Sequence, residues 1–137
     1  MSSIKHVVSM KAFSREEIDG ILDLAGSFEA IGRGEEESHL LAGKVLATLF
    51  YEPSTRTRLS FESAMLRLGA QVISVADAKK TSSVRKGETL ADTIRTIGNY
   101  SDVIAMRHPQ TGAAALAAEN SSVPIFRWLT PTIVNGH

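Results

Sequence analysis

The sequence has no cysteine, few aromatic residues and no excess of either charge. Without cysteine the chain can form neither disulfides nor thiolate metal sites, and it has no cysteine nucleophile. Its 15 Lys and Arg balance its 15 Asp and Glu, so overall charge gives no argument for a nucleic acid partner or an anionic membrane. No segment approaches the roughly 20 apolar residues of a membrane span, and the N-terminus lacks the apolar run of a signal peptide. These absences predict a soluble, cytoplasmic, single domain whose ligand sites are built locally.

The apolar residues that are present alternate between strand-like and helix-like patterns. Ser14 and Glu17 form a capping box ahead of the first helical pattern. A short continuous apolar run, typical of a strand buried on both faces, occupies residues 45–50, and strands are also predicted at residues 72–75, 102–106 and 123–126. Helical patterns precede the first run, and later ones end at Gly69, cover residues 89–99 and cover about 112–119. This alternation predicts an α/β fold, a three-layer domain with a central parallel sheet of about four strands flanked by helices.

A dense group of anion-binding side chains follows the first predicted strand. The segment Ser54-Thr55-Arg56-Thr57-Arg58 lies between a strand and a helix, where free backbone N–H groups and the helix dipole favour an anion. Alternatively, Ser54 only caps the helix and the arginines are solvated. Three hydroxyls and two arginines in five consecutive residues favour an anion site.

Two further segments are expected at the same edge of the sheet, where α/β proteins bind ligands. The loop of residues 79–88 contains Ser82 and Lys86 among four cations and three hydroxyls, although such charge runs are often only solvated. Arg107 directly follows the strand predicted to end at Met106, and His108 either joins the site or only bridges backbone groups. The four histidines show no metal-ligand spacing, so no metal is expected. The residues alone predict a phosphate- or carboxylate-binding domain and leave the reaction open.

Several motifs in register resemble the aspartate and ornithine carbamoyltransferases. They extend over roughly residues 5–126, and residues 86–92 and 107–109 resemble the aspartate type, whereas ornithine enzymes usually differ there. The motifs that resemble the family are Ser54-Thr55-Arg56-Thr57-Arg58-Leu59-Ser60-Phe61-Glu62, Leu68-Gly69-Ala70, Lys86-Gly87-Glu88-Thr89-Leu90-Ala91-Asp92-Thr93 and Arg107-His108-Pro109-Gln110.

The resemblance implies a reaction and a role for each matched residue. The carbamoyl group of carbamoyl phosphate would pass to L-aspartate, giving N-carbamoyl-L-aspartate and phosphate in pyrimidine synthesis, without a cofactor. Ser54, Thr55, Arg56 and Thr57 would bind the phosphate, and Arg107 would bind carbamoyl phosphate. Ser82 and Lys86 would reach into a neighbouring subunit's site in a homotrimer. The catalytic residues would be Arg56, Thr57, Lys86 and Arg107.

The resemblance ends after Phe126. The family's His-Pro-Thr-Gln loop is not found in residues 127–137, which form an irregular tail in this interpretation. We therefore expect a carbamoyl-phosphate-binding domain in residues 1–126, no aspartate-binding domain, and little or no transferase activity from this truncated chain alone. Two alternatives remain open, namely a noncatalytic phosphate-binding or trimer-interaction module and an ornithine carbamoyltransferase fragment.

Overall fold

The computed structural model describes residues 6–75 and 89–128. A short 3-10 turn, Met10–Ala12, precedes the regular elements. The helices are α1 (Arg15–Ser27), α2 (Glu29–Gly32), α3 (Thr55–Arg67), α4 (Leu90–Gly98) and α5 (Ala113–Asn120), and the strands are β1 (Val45–Phe50), β2 (Gln71–Val75), β3 (Val103–Arg107) and β4 (Ile125–Arg127). No helix in the described ranges is long and apolar enough to cross a membrane.

The four strands form one parallel sheet in the order β2-β1-β3-β4. Helices pack on the sheet on both sides, so the predicted α/β architecture with about four parallel strands is confirmed. The central strands β1 and β3 are largely buried, as their continuous apolar sequences predict. The edge strand β2 is partly exposed, because only β1 pairs with it.

The main core lies between the sheet and the helices α4 and α5. Ala47, Ile104 and Ile125 are register partners, so they point to the same face of the sheet. Ile94 of α4 and Ala117 of α5 pack against that face and are fully buried. The small alanines of α5 allow the helix to approach the strands closely.

The opposite face of the sheet is covered by α3. Gly69 follows the C-cap residue of that helix, and its φ of +86° is favourable for glycine. A Cβ at Gly69 would lie 2.9 Å from the Cα of His39, so the close approach of the preceding loop also requires glycine. This tight stop returns the chain directly into β2 beside β1.

Helix α1 begins with the predicted capping box. The Ser14 hydroxyl accepts from the Glu17 N–H at 3.1 Å, and the Glu17 carboxylate accepts from the Ser14 N–H at 3.0 Å. The helix nevertheless contains no buried residue, and Leu22 is 63% exposed. Apolar side chains of α1, with Val7, Pro124 and Phe126, line an open groove of about 440 Å³.

Candidate anion-binding site

The carboxyl ends of β1 and β3 lie side by side at one edge of the sheet. Phe50 and Arg107 are register partners, and the Tyr51 N–H donates to the Arg107 carbonyl at 2.9 Å. Arg107 is therefore the last residue of β3, one position later than the predicted strand end at Met106. The strand continues because backbone pairing with β1 does not depend on an apolar side chain. The segment after β1 and the side chain of Arg107 are thus brought together, as expected for ligand sites of this class.

The N-terminus of α3 offers unused hydrogen-bond donors beside this edge. Ser54 is the N-cap residue with φ −156° and ψ 75°, and its side chain makes no capping hydrogen bond. The first helical bond runs from the Arg58 N–H to the Ser54 carbonyl at 3.0 Å, so the N–H groups of residues 55–57 have no helical acceptor. Ser54 therefore occupies the N-cap position without a side-chain capping bond, and its role in an anion site remains a prediction. Its hydroxyl and the three N–H groups can serve an anion together with the positive end of the helix dipole.

Arg56 and Thr57 flank this N-terminus and line a groove. Arg56 is exposed and Thr57 is half-buried, and the groove continues along Ser60, Phe61 and Ala64 towards Trp128. The Ser60 hydroxyl donates to the Arg56 carbonyl at 2.8 Å. The Arg56 guanidinium forms no ion pair with another described residue. Its planar fork is therefore available to an anionic ligand near the helix N-terminus.

Arg107 is held at the site mainly by one carboxylate. Its side chain is only 15% exposed, and its Nη2 lies 3.4 Å from Oε2 of Glu52. Its buried Nε–H has no hydrogen-bond partner among the residues that the structure describes. A buried donor without an acceptor costs about 1–3 kcal/mol, so this Nε–H is a local cost of placing Arg107 at the strand end.

His108 has a local structural role. Its Nδ1 accepts from the Gln110 N–H at 3.1 Å, and its ring packs against the ring of Tyr51 with centroids 4.5 Å apart. These contacts match the bridging interpretation of His108. They also hold the two strand ends together beside Arg107.

The two arginines of the Ser54–Arg58 segment have different roles. Arg58 lies 3.4 Å from Oε2 of Glu62 and donates to the Ser74 hydroxyl at 2.9 Å, so it connects α3 to β2. Sequence reasoning counted both arginines in favour of the anion site, whereas only Arg56 remains exposed at the helix N-terminus. The spacing of Arg58 and Glu62, four residues apart on one helix, was the available signal for this ion pair.

Sequence reasoning also missed Glu52 and Thr48. Glu52 pairs with Arg107, and the fully buried Thr48 hydroxyl donates to Glu62 at 2.9 Å. A threonine inside the apolar run of β1 was a usable signal, because buried hydroxyls require partners. No comparable signal indicates Glu52, because its partner is far away in sequence.

Two predicted site residues, Ser82 and Lys86, lie outside the described residues. Their expected roles therefore remain predictions. Within residues 6–75 and 89–128 no group of three or more histidines, aspartates and glutamates is arranged to hold a metal ion.

The fold and this site define a class of protein, an α/β domain with a candidate anion-binding edge at the carboxyl ends of β1 and β3. Residues 5–132 match the family described as "Aspartate/ornithine carbamoyltransferase, carbamoyl-P binding domain". The match covers most of the chain, and it includes six residues beyond the predicted boundary at residue 126. The chain belongs to this family.

Relatives and solved structures point to one branch of the family. The "Aspartate carbamoyltransferase catalytic subunit" of Methanosarcina mazei is 59% identical over 122 residues, which is 89% of this chain and 39% of the relative. The catalytic subunit of M. jannaschii aspartate transcarbamoylase superimposes with a TM-score of 0.85 at 56% identity, covering 90% of this chain and 41% of that one. Aspartate transcarbamoylase from Trypanosoma cruzi, solved with carbamoyl phosphate and aspartate, gives 0.82 at 41% identity, covering 90% and 40%. The chain thus spans about two fifths of the length of the proteins it matches.

Proposed function

We propose that this chain is the carbamoyl-phosphate-binding part of an aspartate carbamoyltransferase. The complete reaction transfers the carbamoyl group of carbamoyl phosphate to the amine of L-aspartate, giving N-carbamoyl-L-aspartate and phosphate. The observation that carries this proposal is the N-terminus of α3, where the Ser54 hydroxyl and three N–H groups have no helical partner beside the partly buried Arg107. The identity of 59% with an aspartate carbamoyltransferase catalytic subunit supports the choice of substrates.

The proposed roles follow from the chemistry of each group. Ser54, Thr55 and Thr57 donate hydroxyl and backbone hydrogen bonds to phosphate oxygens at the positive end of the α3 dipole. Arg56 adds a forked guanidinium that neutralises charge as phosphate leaves. Arg107 donates to carbamoyl phosphate through its guanidinium at the carboxyl end of β3.

The mechanism depends on positioning and electrostatics and needs no cofactor. The neutral amine of aspartate attacks the carbamoyl carbon and a tetrahedral oxyanion forms. The bond between that carbon and the phosphate oxygen then breaks, and the amine proton passes to the leaving phosphate. Ser82 and Lys86 would act across a subunit boundary in a homotrimer, with Lys86 contacting both phosphate and an aspartate carboxylate. Such a trimer, and a location in the cytoplasm, belong to the proposal.

A noncatalytic phosphate-binding or trimer-interaction module is a second candidate. The chain spans 39–41% of the length of the relatives reported above, so the complete reaction remains part of the proposal. We propose a boundary near residue 126 between the binding domain and the following segment. An ornithine-type fragment is the third candidate, and the 54–59% identity with aspartate enzymes argues against it.

Calorimetric titration of the chain with carbamoyl phosphate tests the proposed function. We expect saturable binding that Arg56→Ala weakens about 10-fold to 100-fold, because a hydrogen bond to a charged group contributes about 1.5–3 kcal/mol. Arg33→Ala is the matched control, since Arg33 is also exposed but pairs with Glu29 and Glu35 at the end of α2.

Each outcome tests one or more of the candidates. If Arg56→Ala and Arg33→Ala weakened binding equally, binding would depend only on nonspecific charge, and this would contradict the proposal. Saturable binding without formation of carbamoyl-aspartate agrees with both the leading proposal and the binding module, whereas turnover at a normal enzymatic rate contradicts the binding module and the expectation that this chain is inactive alone. Failure of a folded chain to bind would contradict the site as proposed.

A further inference from the structure

Four polar side chains form a closed ring beneath the N-terminus of α3. Thr48 lies on β1, Ser74 on β2, and Arg58 and Glu62 on α3. The Thr48 hydroxyl donates to Oε2 of Glu62 at 2.9 Å, and Arg58 Nη1 lies 3.4 Å from the same oxygen. Arg58 Nη1 also donates to the Ser74 hydroxyl at 2.9 Å, and the Ser74 and Thr48 hydroxyl oxygens are 3.2 Å apart. These residues are called the polar ring below.

Each hydrogen bond of the polar ring has its own donor hydrogen. Each hydroxyl has one hydrogen and can also accept. Thr48 gives its hydrogen to the Glu62 carboxylate, so Ser74 can give its hydrogen to Thr48 while accepting from Arg58. The two charged members are largely shielded from solvent, with side-chain exposures of 28% for Arg58 and 15% for Glu62. A polar network satisfied in this way favours one arrangement of its elements, because any shift would leave a shielded group unpaired.

The polar ring attaches α3 to β1 and β2, while the partly buried Phe61 of α3 packs against Phe126 of β4 and against Trp128. No residue of α3 is fully buried, so the polar ring adds directional contacts to this apolar packing and helps to fix the rotation of the helix about its axis. Successive helix residues are rotated by about 100°, so Arg56 and Arg58 point in nearly opposite directions. Holding Arg58 and Glu62 against the sheet therefore directs Arg56 away from it. Glu62 follows Thr55 by seven residues, which places the ring within about 11 Å of the helix start.

We propose that Thr48, Arg58 and Glu62 are positioning residues for the phosphate-binding turn, an inference that rests on the proposed function. They contact no ligand. The polar ring fixes the rotation and seating of α3, and this sets the directions of Arg56, Thr57 and the open N–H groups. Loosening the ring lowers ligand affinity because the donors no longer converge on one point.

The matched pair Thr48→Val and Thr48→Ser tests this role. Valine keeps the shape of threonine but removes the hydroxyl, whereas serine keeps the hydroxyl. We expect Thr48→Val to weaken carbamoyl phosphate binding about 3-fold to 10-fold, the equivalent of one hydrogen bond, and Thr48→Ser to bind nearly as tightly as the unchanged chain. Ile125→Val is a destabilising control, because Ile125 is fully buried on the opposite face of the sheet.

Amide hydrogen exchange gives a second readout that needs no ligand. Thr48→Val is expected to speed exchange in α3 more than in α4 and α5, whereas Ile125→Val is not expected to affect α3 selectively. Equal acceleration in all three helices would mean that the ring contributes only general stability, and this would overturn the proposal. Where the unchanged chain binds, unaltered affinity of Thr48→Val would overturn it as well.

The two proposals fail in different ways. If the unchanged chain does not bind carbamoyl phosphate, the proposed function fails, and exchange in α3 alone decides whether the polar ring seats the helix. If Thr48→Val does not fold, Ser74→Ala replaces it. Ser74 is exposed on the edge strand, so its loss opens the ring with little effect on the core. The same weaker binding and local exchange are expected of Ser74→Ala, and their absence overturns the proposal.

Discussion

At the scale of single residues, two helix N-caps of similar chemistry behave differently. Thr89 caps α4, and its hydroxyl accepts from the Asp92 N–H at 3.1 Å. Ser54 occupies the N-cap position of α3, but its hydroxyl makes no capping hydrogen bond. A hydroxyl at an N-cap normally stabilises its helix. The proposed function assigns the Ser54 hydroxyl to a ligand instead, and this difference can be measured.

Removing each hydroxyl should affect a different property. We expect Thr89→Ala to lower the free energy of unfolding by about 0.5–2 kcal/mol, because a capping bond is lost. Ser54→Ala should change it by less than about 0.5 kcal/mol but should weaken carbamoyl phosphate binding severalfold. Urea unfolding and calorimetric titration of both variants check the two halves of this prediction.

The reverse pattern would contradict the assignment. If Ser54→Ala lowered stability as much as Thr89→Ala and left binding unchanged, Ser54 would be an ordinary cap. The unchanged chain and Ser14→Ala, which removes the capping hydroxyl of α1, provide the comparison for a normal cap.

Sequence reasoning identified the residues of the anion site by type but could not separate their roles. The hydroxyls and arginines of residues 54–58 point to an anion because of their density at a strand-to-helix junction. Which arginine turns outward depends on the rotation of α3, and that rotation depends on Thr48 and Ser74 in other elements. The pairing of Glu52 with Arg107 also depends on tertiary structure, because it requires β1 and β3 to be neighbours in the sheet.

At the scale of elements, the strands were predictable because a buried parallel strand has a continuous apolar sequence. Val45–Phe50 has the predicted bounds, and β3 is displaced by one residue at each end. Helix periodicity was less informative. The pattern of α1 shows where its apolar residues lie but does not show what covers them, and Ile21 and Leu22 are exposed. Helix α4 has a similar pattern, yet its Ile94 is fully buried.

The same truncation in these two helices should therefore have unequal costs. Ile94→Ala is expected to lower the free energy of unfolding by about 2–5 kcal/mol, since it leaves a cavity in the main core. Leu22→Ala should change it by less than about 0.5 kcal/mol, because Leu22 is 63% exposed. Urea unfolding of both variants gives the comparison. Similar costs would mean that α1 is covered in solution.

At the scale of the whole molecule, one edge of the sheet concentrates the proposed chemistry. Parallel strands place the ends of β1 and β3 together, so one helix N-terminus, Glu52 and Arg107 meet there without a dedicated loop insertion. The polar ring and the His108 contacts hold this edge from opposite sides. The family relationship was predictable from the motifs, and two of the four, residues 54–62 and 107–110, lie at the carboxyl ends of β1 and β3.

The most direct test is a two-dimensional amide NMR titration of the unchanged chain with carbamoyl phosphate. We expect saturable changes in amide chemical shift concentrated at residues 54–57 and Arg107, and we expect Arg56→Ala to abolish them. Residues of α1 and the apolar groove beside it should not respond. Shifts confined to that groove, or no shifts in a folded chain, would contradict the claim that the carboxyl edge of β1 and β3 binds carbamoyl phosphate.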